Sequence, residues 1–517
     1  MNTHRLEKVL LGCIVLLAAC SRFLHLDQIP PGLYSDEASG AYDAYSIMLT
    51  GRDRYGVLLP LYSRGFDFWW AALMCYLSIP PIALWGLNEF AARFSVALLG
   101  LLTVWLTYLL VKERLNSTAA LWAAFLLAIA PWHIHNSRYL NDITPFTFFF
   151  ILGLLFFVRG LDRRNCYFYL SALSFALSFY TYIVSRIFIP LACLGLLFIY
   201  KKELTHHRRS IIQSLAIFLL LLIPTFSFAI REPGHFFLRY SQIPLTAHGG
   251  SYVRAGLSFC KNYLLHLSPV FLFFKGDANW RNFPQGFGQL YLFEMPLVVI
   301  GIISCIRSWK NPDARFLIFW LLTYGIPASL TVENIPHGLR AATAIPLYEI
   351  LSAIGIYCAC GWLRSLAGWK RRMGLLGAWL FAVCAAANVY IFFHHYVYRY
   401  PVYAAHSWDY GWREAMEYAI SVENDYDHVV LTVLSVGTPT MYPPFYLRYD
   451  PAEYQRSKLG KSKYQFVTPE VMPGLFTTLK GRTLYLVREQ ELRGIPPLKI
   501  IRFPDGRIAF KIIERVN

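Results

Sequence analysis

The sequence predicts a polytopic α-helical membrane protein of about eleven spans, followed by a small C-terminal α/β domain. Three observations predict it. Hydrophobic residues make up 56% of 517 and charged residues 15%, against about 25% charged in ordinary soluble domains. The apolar residues fall in runs of about 18 or more, which lipid solvates and a globule of this size cannot hide. The basic residues, which give a net charge of +17, sit in short clusters between those runs, as inside loops do. That distribution excludes nucleic acid as the partner.

The first span, about 8–25, follows Arg5 and Lys8 and therefore starts inside. Leu17-Ala18-Ala19-Cys20 mimics a lipoprotein cleavage box, but an uncleaved signal anchor keeps the span that the later topology needs. A long outer loop covers about 26–93, and its apolar stretch 68–86 reads as a surface or re-entrant helix interrupted at Pro80-Pro81. The second to seventh spans are about 94–111, 117–132, 144–158, 166–182, 187–200 and 211–230. A second long outer loop takes about 231–289, and the last four spans are about 290–306, 315–331, 342–363 and 374–393. Inside loops carry the clusters Lys112-Glu113-Arg114, Lys201-Lys202, Arg208-Arg209 and Lys370-Arg371-Arg372. Residues 1–395 thus form the transmembrane domain and 396–517 an extracytoplasmic domain. In that tail Gly411 to Val422 has helical spacing, and His428–Thr432 and Thr483–Val487 read as buried strands. Lys499–Phe503 and Ile508–Ile512 read as a hairpin turning at Asp505-Gly506. The ten cysteines are scattered, nearly all in apolar runs, and indicate neither a disulfide framework nor a zinc site.

The sharpest chemical feature is Tyr34-Ser35-Asp36-Glu37. Ser35 is suited to cap a helix whose first turn holds Asp36 and Glu37, where the helix dipole favours acids. Ala38, Ala41, Tyr42, Tyr45 and Met48 then line one face up to Gly51, which predicts an amphipathic helix lying on the membrane surface. A charged helix start in an ordinary loop is the plain alternative. Trp and Tyr are read as interfacial, as are His133 and His135.

An ordered set of segments carries a resemblance. After the acid pair come Pro60-Leu61-Tyr62 and Asn88 to Arg93, then Ala130-Pro131-Trp132-His133 through Ser137-Arg138-Tyr139. Leu267-Ser268-Pro269 to Lys275-Gly276-Asp277, Gly288 to Tyr291, and Pro336-His337-Gly338-Leu339-Arg340 complete it. Over about residues 1–400 the chain resembles the GT-C lipid-linked-sugar glycosyltransferases, in particular the branch of protein O-mannosyltransferases and lipid A aminoarabinose transferases.

The resemblance implies an inverting transfer of a sugar from a polyprenyl-phosphate donor to a lipid, glycan or protein acceptor. It places the reaction on the outer face of the plasma (inner) membrane, with the N-terminus cytoplasmic. By position Asp36 matches the catalytic aspartate, with Glu37 its supporting neighbour. Such a displacement needs a carboxylate for the acceptor proton and cations for the departing phosphate. Arg138, His337 and Arg340 are the phosphate candidates, with Lys275 weaker; headgroup anchoring is the plain reading of each. The aminoarabinose branch has a lysine before Pro-Leu-Tyr. Here Val57-Leu58-Leu59-Pro60 lacks it, so that contact is absent or comes from Arg64. Asp142 and Tyr62 are acceptor or sugar contacts. Arginine and histidine suffice for one phosphate, so no metal and no cofactor is expected. The alternative of a transporter or lipid flippase lacks midplane charges and inverted repeats, and a non-catalytic assembly protein leaves the acid pair without a chemical purpose.

Overall fold

The computed structural model describes residues 3–65, 69–233, 252–432, 439–459, 463–489, 491–492 and 494–516. The middle of the second long loop, 234–251, therefore lies outside the described residues. The chain divides into two units: Met1–Leu24 with Val96–His394, and His25–Ser95 with His395–Asn517. The expected division kept 26–93 with the transmembrane part; in the structure this segment packs with the C-terminal residues instead.

The first unit is helical, and the chain is a multi-pass membrane protein. Among the described residues, Glu89–Arg114, Ile143–Asp162, Lys201–Arg231 and Gly368–Tyr403 are long and apolar enough to cross a bilayer. Gly338–Ala344 with Leu347–Ser365, bent by 48°, makes a fifth. Against the eleven spans expected, the difference has a physical cause. Ser117–Ile129, Cys166–Phe179, Ser185–Ile199, Glu294–Arg307 and Pro312–Thr323 have 12 to 15 residues, where a straight span needs about 20. Helix Thr3–Phe23 carries Arg5, Glu7, Lys8 and Arg22; Glu7 is paired with Lys112 at 2.7 Å. In the core Phe150 meets Phe188 and Trp320 edge-on at 5.2 and 5.1 Å. Helices Glu294–Arg307 and Leu347–Ser365 touch main chain to main chain. A Cβ on Gly301 would lie 2.1 Å from Leu351 O, and one on Gly355 would lie 2.1 Å from Leu297 O.

The second unit holds helix Ser35–Thr50, hairpin β1 (Tyr62–Arg64) and β2 (Trp69–Ala71), helix Leu73–Trp85 and a five-stranded sheet. The sheet contains β3 (His428–Thr432), β4 (Tyr464–Val467), β5 (Arg482–Val487), β6 (Lys499–Arg502) and β7 (Ile508–Val516), in the order β4-β3-β5-β7-β6. β3 runs parallel to β4 and β5, and β7 antiparallel to β5 and β6. Both faces of the central strands are covered, which is why β3 and β5 carry continuous apolar runs. Val429, Leu431, Leu484, Leu486, Phe510 and Ile512 share a core with Trp412 and Tyr442. Val430, Tyr485 and Ile513 pack against Met472 and Phe476 on the other face.

Two expectations are corrected here. Helix Ser35–Thr50 is not a one-sided surface helix: Ala38, Ala41, Ala44 and Ile47 are buried, and so are Ser35, Glu37, Ser39 and Asp43 on the polar side. Helix Leu73–Trp85 is not interrupted at Pro80-Pro81 but runs through both. Pro81 has no N–H for the Leu77 carbonyl, and Ser95 Oγ donates to that carbonyl instead at 2.5 Å.

Candidate active site

In the second unit the site begins with the turn into helix Ser35–Thr50. Ser35 is the first helical residue rather than the cap; the Tyr34 N–H is bonded by Glu37 Oε2 at 3.1 Å. Glu37 also takes a two-pronged bond from Arg93, Nε to Oε1 and Nη2 to Oε2, each 2.9 Å. The remaining reach of Arg93 goes to main chain: Nη1 donates to Leu26 O and Pro30 O at 3.1 and 3.0 Å, and Nη2 to Gly32 O. Both side chains are buried. Glu37 and Arg93 together hold the 26–34 strap to the helix. Asp36, its neighbour, is half-buried.

Two turns along the helix, Asp43 occupies the same face as Asp36. It accepts the Arg54 N–H at 3.2 Å and lies 3.4 Å from Arg54 Nη1. Burial pushes its pKa up to about 6, against the pull of Arg54 and with the push of Asp53. Arg54 in turn donates to Ser39 O and Arg64 O at 3.2 and 2.8 Å. Arg64 itself is exposed, its guanidinium over the Tyr55 ring at 5.5 Å, and Tyr62 is buried in β1. Tail residues complete this unit: Tyr442 Oη lies 3.0 Å from Leu33 O and 2.7 Å from Asp409 Oδ2.

In the first unit three loops meet, carrying the segments Pro131–Asn136, 268–293 and 331–344. Trp132 Nε1 donates to Gly338 O at 3.1 Å, His135 Nε2 to Arg281 O at 2.7 Å, and Tyr291 Oη to Ile129 O at 2.9 Å. Asp277 is the hub. Its Oδ2 accepts the Gly338 N–H at 2.7 Å and Asn282 Nδ2 at 3.0 Å, and its Oδ1 accepts the Asn279 N–H at 2.8 Å. Burial raises its pKa against these bonds. A Cβ on Gly338 would lie 2.8 Å from Gln289 Nε2 and 3.3 Å from Asp277 Oδ2, so the Gln289 amide would have to shift to admit one. His266 Nδ1 donates to Asn262 O at 2.8 Å, and its Nε2 accepts the His337 N–H at 3.0 Å. Burial takes this imidazole down to about 4.

The phosphate candidates have partners here. His337 Nδ1 lies 3.8 Å from Asp277 Oδ2 and 3.4 Å from the Arg340 N–H. Arg340 is buried, with Nη1 on Thr331 Oγ1 at 2.7 Å and Nη2 on Glu333 Oε2 at 2.8 Å. Arg138 donates to Ser21 O and Leu24 O at 2.8 and 2.6 Å, closing the end of helix Thr3–Phe23. Lys275 ends the π-helical turn Val270–Lys275 and is exposed. Asp142 precedes helix Ile143–Asp162 and is half-buried.

His133 and His135 are buried. His133 Nδ1 accepts from Arg22 Nη2 at 2.7 Å, and burial with that cation holds its pKa well below the ordinary value. Arg22 also donates to Ala128 O and Leu127 O, each at 3.0 Å. Sequence reasoning missed Arg22, Asp43, Arg54 and His266. Asp277 stood in a quoted segment, but only its neighbour Lys275 was read as functional. Among the described residues no three His, Cys, Asp or Glu side chains are grouped to hold a metal ion.

A family model described as dolichyl-phosphate-mannose-protein mannosyltransferase matches residues 69–228. An uncharacterized protein of Aquifex aeolicus is 35% identical over 107 residues, a stretch covering 19% of this chain and 21% of that relative. The crystal structure of ArnT from Cupriavidus metallidurans bound to undecaprenyl phosphate superposes with a TM-score of 0.59 at 14% identity, over 99% of this chain and 98% of that one. The archaeal oligosaccharyltransferase AglB from Archaeoglobus fulgidus, in complex with an inhibitory peptide and a dolichol-phosphate, gives 0.54 at 11% identity, over 93% of this chain and 69% of that one.

Proposed function

We propose, from the premise that this chain has the GT-C fold, that it is an inverting glycosyltransferase drawing on a polyprenyl-phosphate sugar at the outer membrane face. The observation that carries the reading is Asp36: a half-buried acid at a helix start, beside a carboxylate locked by Arg93. Asp36 takes the proton of an attacking hydroxyl or amine as the acceptor bonds to the anomeric carbon. The carbon–oxygen bond to phosphate breaks, and the lipid phosphate leaves with its electron pair. His337, Arg340 and Lys275 stabilise that charge, without a metal ion. Arg138 acts on donor use through the helix end that it closes, Arg64 contacts the donor phosphate, and Tyr62 and Asp142 contact sugar or acceptor. The likeness to proteins solved with undecaprenyl phosphate and dolichol-phosphate supports the donor class.

The test is sugar transfer by the purified full chain in nanodiscs, beside a donor-binding assay. Asp36→Asn is expected to lower transfer by about 10²–10⁴-fold while donor binding survives. Full transfer by well-folded Asp36→Asn protein would overturn the assignment. A strict requirement for divalent ions after chelation would contradict the metal-free reading.

A further inference from the structure

In the first unit, side chains from six helices enclose a cavity of about 140 Å³. Leu154, Phe157, Leu196, Phe316, Trp320 and Ile354 form much of its apolar wall. Its polar residues gather at one end through their own bonds. Arg114 Nε and Tyr200 Oη both reach Asp313 Oδ1, at 2.9 and 2.6 Å, and Asn311 Oδ1 accepts the Asp313 N–H at 2.8 Å. Ser308 and Asn311 are exposed, so this end is the mouth. One wall reaches the loops around Asp277, since Trp320 Nε1 donates to Thr343 O at 2.8 Å, while the rest of the wall extends away from them. Leu154 and Phe157 follow Asp142 by 12 and 15 residues, roughly 20 Å along the helix at 1.5 Å per residue.

We infer that this cavity holds the headgroup-proximal segment of one hydrocarbon chain of an anionic glycerophospholipid, with its phosphodiester at Arg114, Ser308 and Asn311. A cavity of about 140 Å³ has room for an apolar guest about the size of benzene, so it takes the first several carbons of the chain and not its whole length. The mouth supplies the matching headgroup chemistry. Arg114 gives Nε to Asp313 and Nη1 to Asp162, each at 2.9 Å, and among the described residues its Nη2 has no acceptor. The same helix ends carry Arg159, Arg163, Arg164, Arg307 and Lys310 against Glu113, Asp162 and Asp313. That excess of positive charge favours an anionic headgroup over a zwitterionic one.

The experiment titrates the full chain with phosphatidylglycerol or phosphatidylcholine. Retained lipid is read by native mass spectrometry, and alkylation of Cys305, a buried thiol in the cavity wall, by peptide mapping. Phosphatidylglycerol is expected to bind about five- to thirtyfold more tightly, the worth of one or two basic contacts to a headgroup, and to slow alkylation of Cys305. Ala314→Phe and Leu154→Phe, which fill the wall, are expected to abolish retention. Asn311→Ala combined with Ser308→Ala should weaken retention of both lipids alike, since both carry the phosphodiester that these side chains contact. Equal binding of both lipids would overturn the inference, as would unchanged retention in the filled variants. Protection of Cys305 by polyprenyl phosphate in preference to phosphatidylglycerol would also overturn it, giving the cavity to the donor's tail. The Cys305 measurement needs no variant, so a substitution that fails to fold leaves the inference exposed to refutation.

Discussion

Removing one partner of the Glu37–Arg93 pair leaves the other charge buried alone, at a cost of about 3–5 kcal/mol. Glu37→Gln and Arg93→Gln are each expected to lower the thermal midpoint of the detergent-solubilised protein steeply. Arg93→Lys should rescue little, because lysine cannot reproduce the fork that spans both Glu37 oxygens. His266 gives a pH-dependent outcome. Its folded-state pKa of about 4 lies below its ordinary 6.5, so its contribution is complete above about 6.5 and is lost as pH falls toward 4. Protonation would also set an N–H against the His337 N–H. Midpoints of wild type and His266→Gln, compared from pH 7.5 to 4, should differ most at the high end and converge at the low end; a constant gap would refute the assignment. The helix start that carries Asp36 was legible because acids in a first turn have a local signal. The Asp43–Arg54 pair was not: its partners stand 11 residues apart across the turn at Gly51, and no periodicity marks such a closure. Asp277 escaped for another reason, since acceptors of main-chain N–H groups leave no pattern in side-chain order.

Among the elements, helix Leu73–Trp85 shows what a proline pair does when a hydroxyl stands nearby. Ser95→Ala is expected to destabilise by about 1–3 kcal/mol, the usual cost of an unsatisfied buried acceptor. Pro81→Ala restores an N–H for Leu77 O, so Ser95→Ala should cost much less in that background. Equal costs in the two backgrounds, measured as a double-mutant cycle of thermal midpoints, would exclude the substitution of hydroxyl for amide. The strands β3, β5, β6 and β7 were readable from apolar runs and the Asp505-Gly506 turn. β4 was not, because Tyr464-Gln465-Phe466-Val467 is a short edge strand whose identity comes from its partner β3. Amphipathicity misled at helix Ser35–Thr50: its polar side reads as solvated in sequence, yet ion pairs and main-chain bonds bury it.

For the whole molecule, the positive-inside pattern makes a topology that can be measured. Cysteine labelling is expected to place 201–209 and 364–372 inside, and 26–93 together with 396–517 outside; a cytoplasmic tail would remove the siting of Asp36. The presence of a membrane bundle and a terminal α/β segment was legible, since bulk hydropathy and charge report solvent preference. The union of 25–95 with the tail was not, because contacts between segments 400 residues apart have no trace in local composition. The touching backbones at Gly301 and Gly355 bear on how such a protein can change over time. Each glycine faces a carbonyl, and a carbonyl is the same whatever side chain follows it. No second substitution at Leu297 or Leu351 can make room, so a suppressor screen starting from Gly301→Leu should recover true revertants or nothing. Descent through these two positions is a corridor with no side doors.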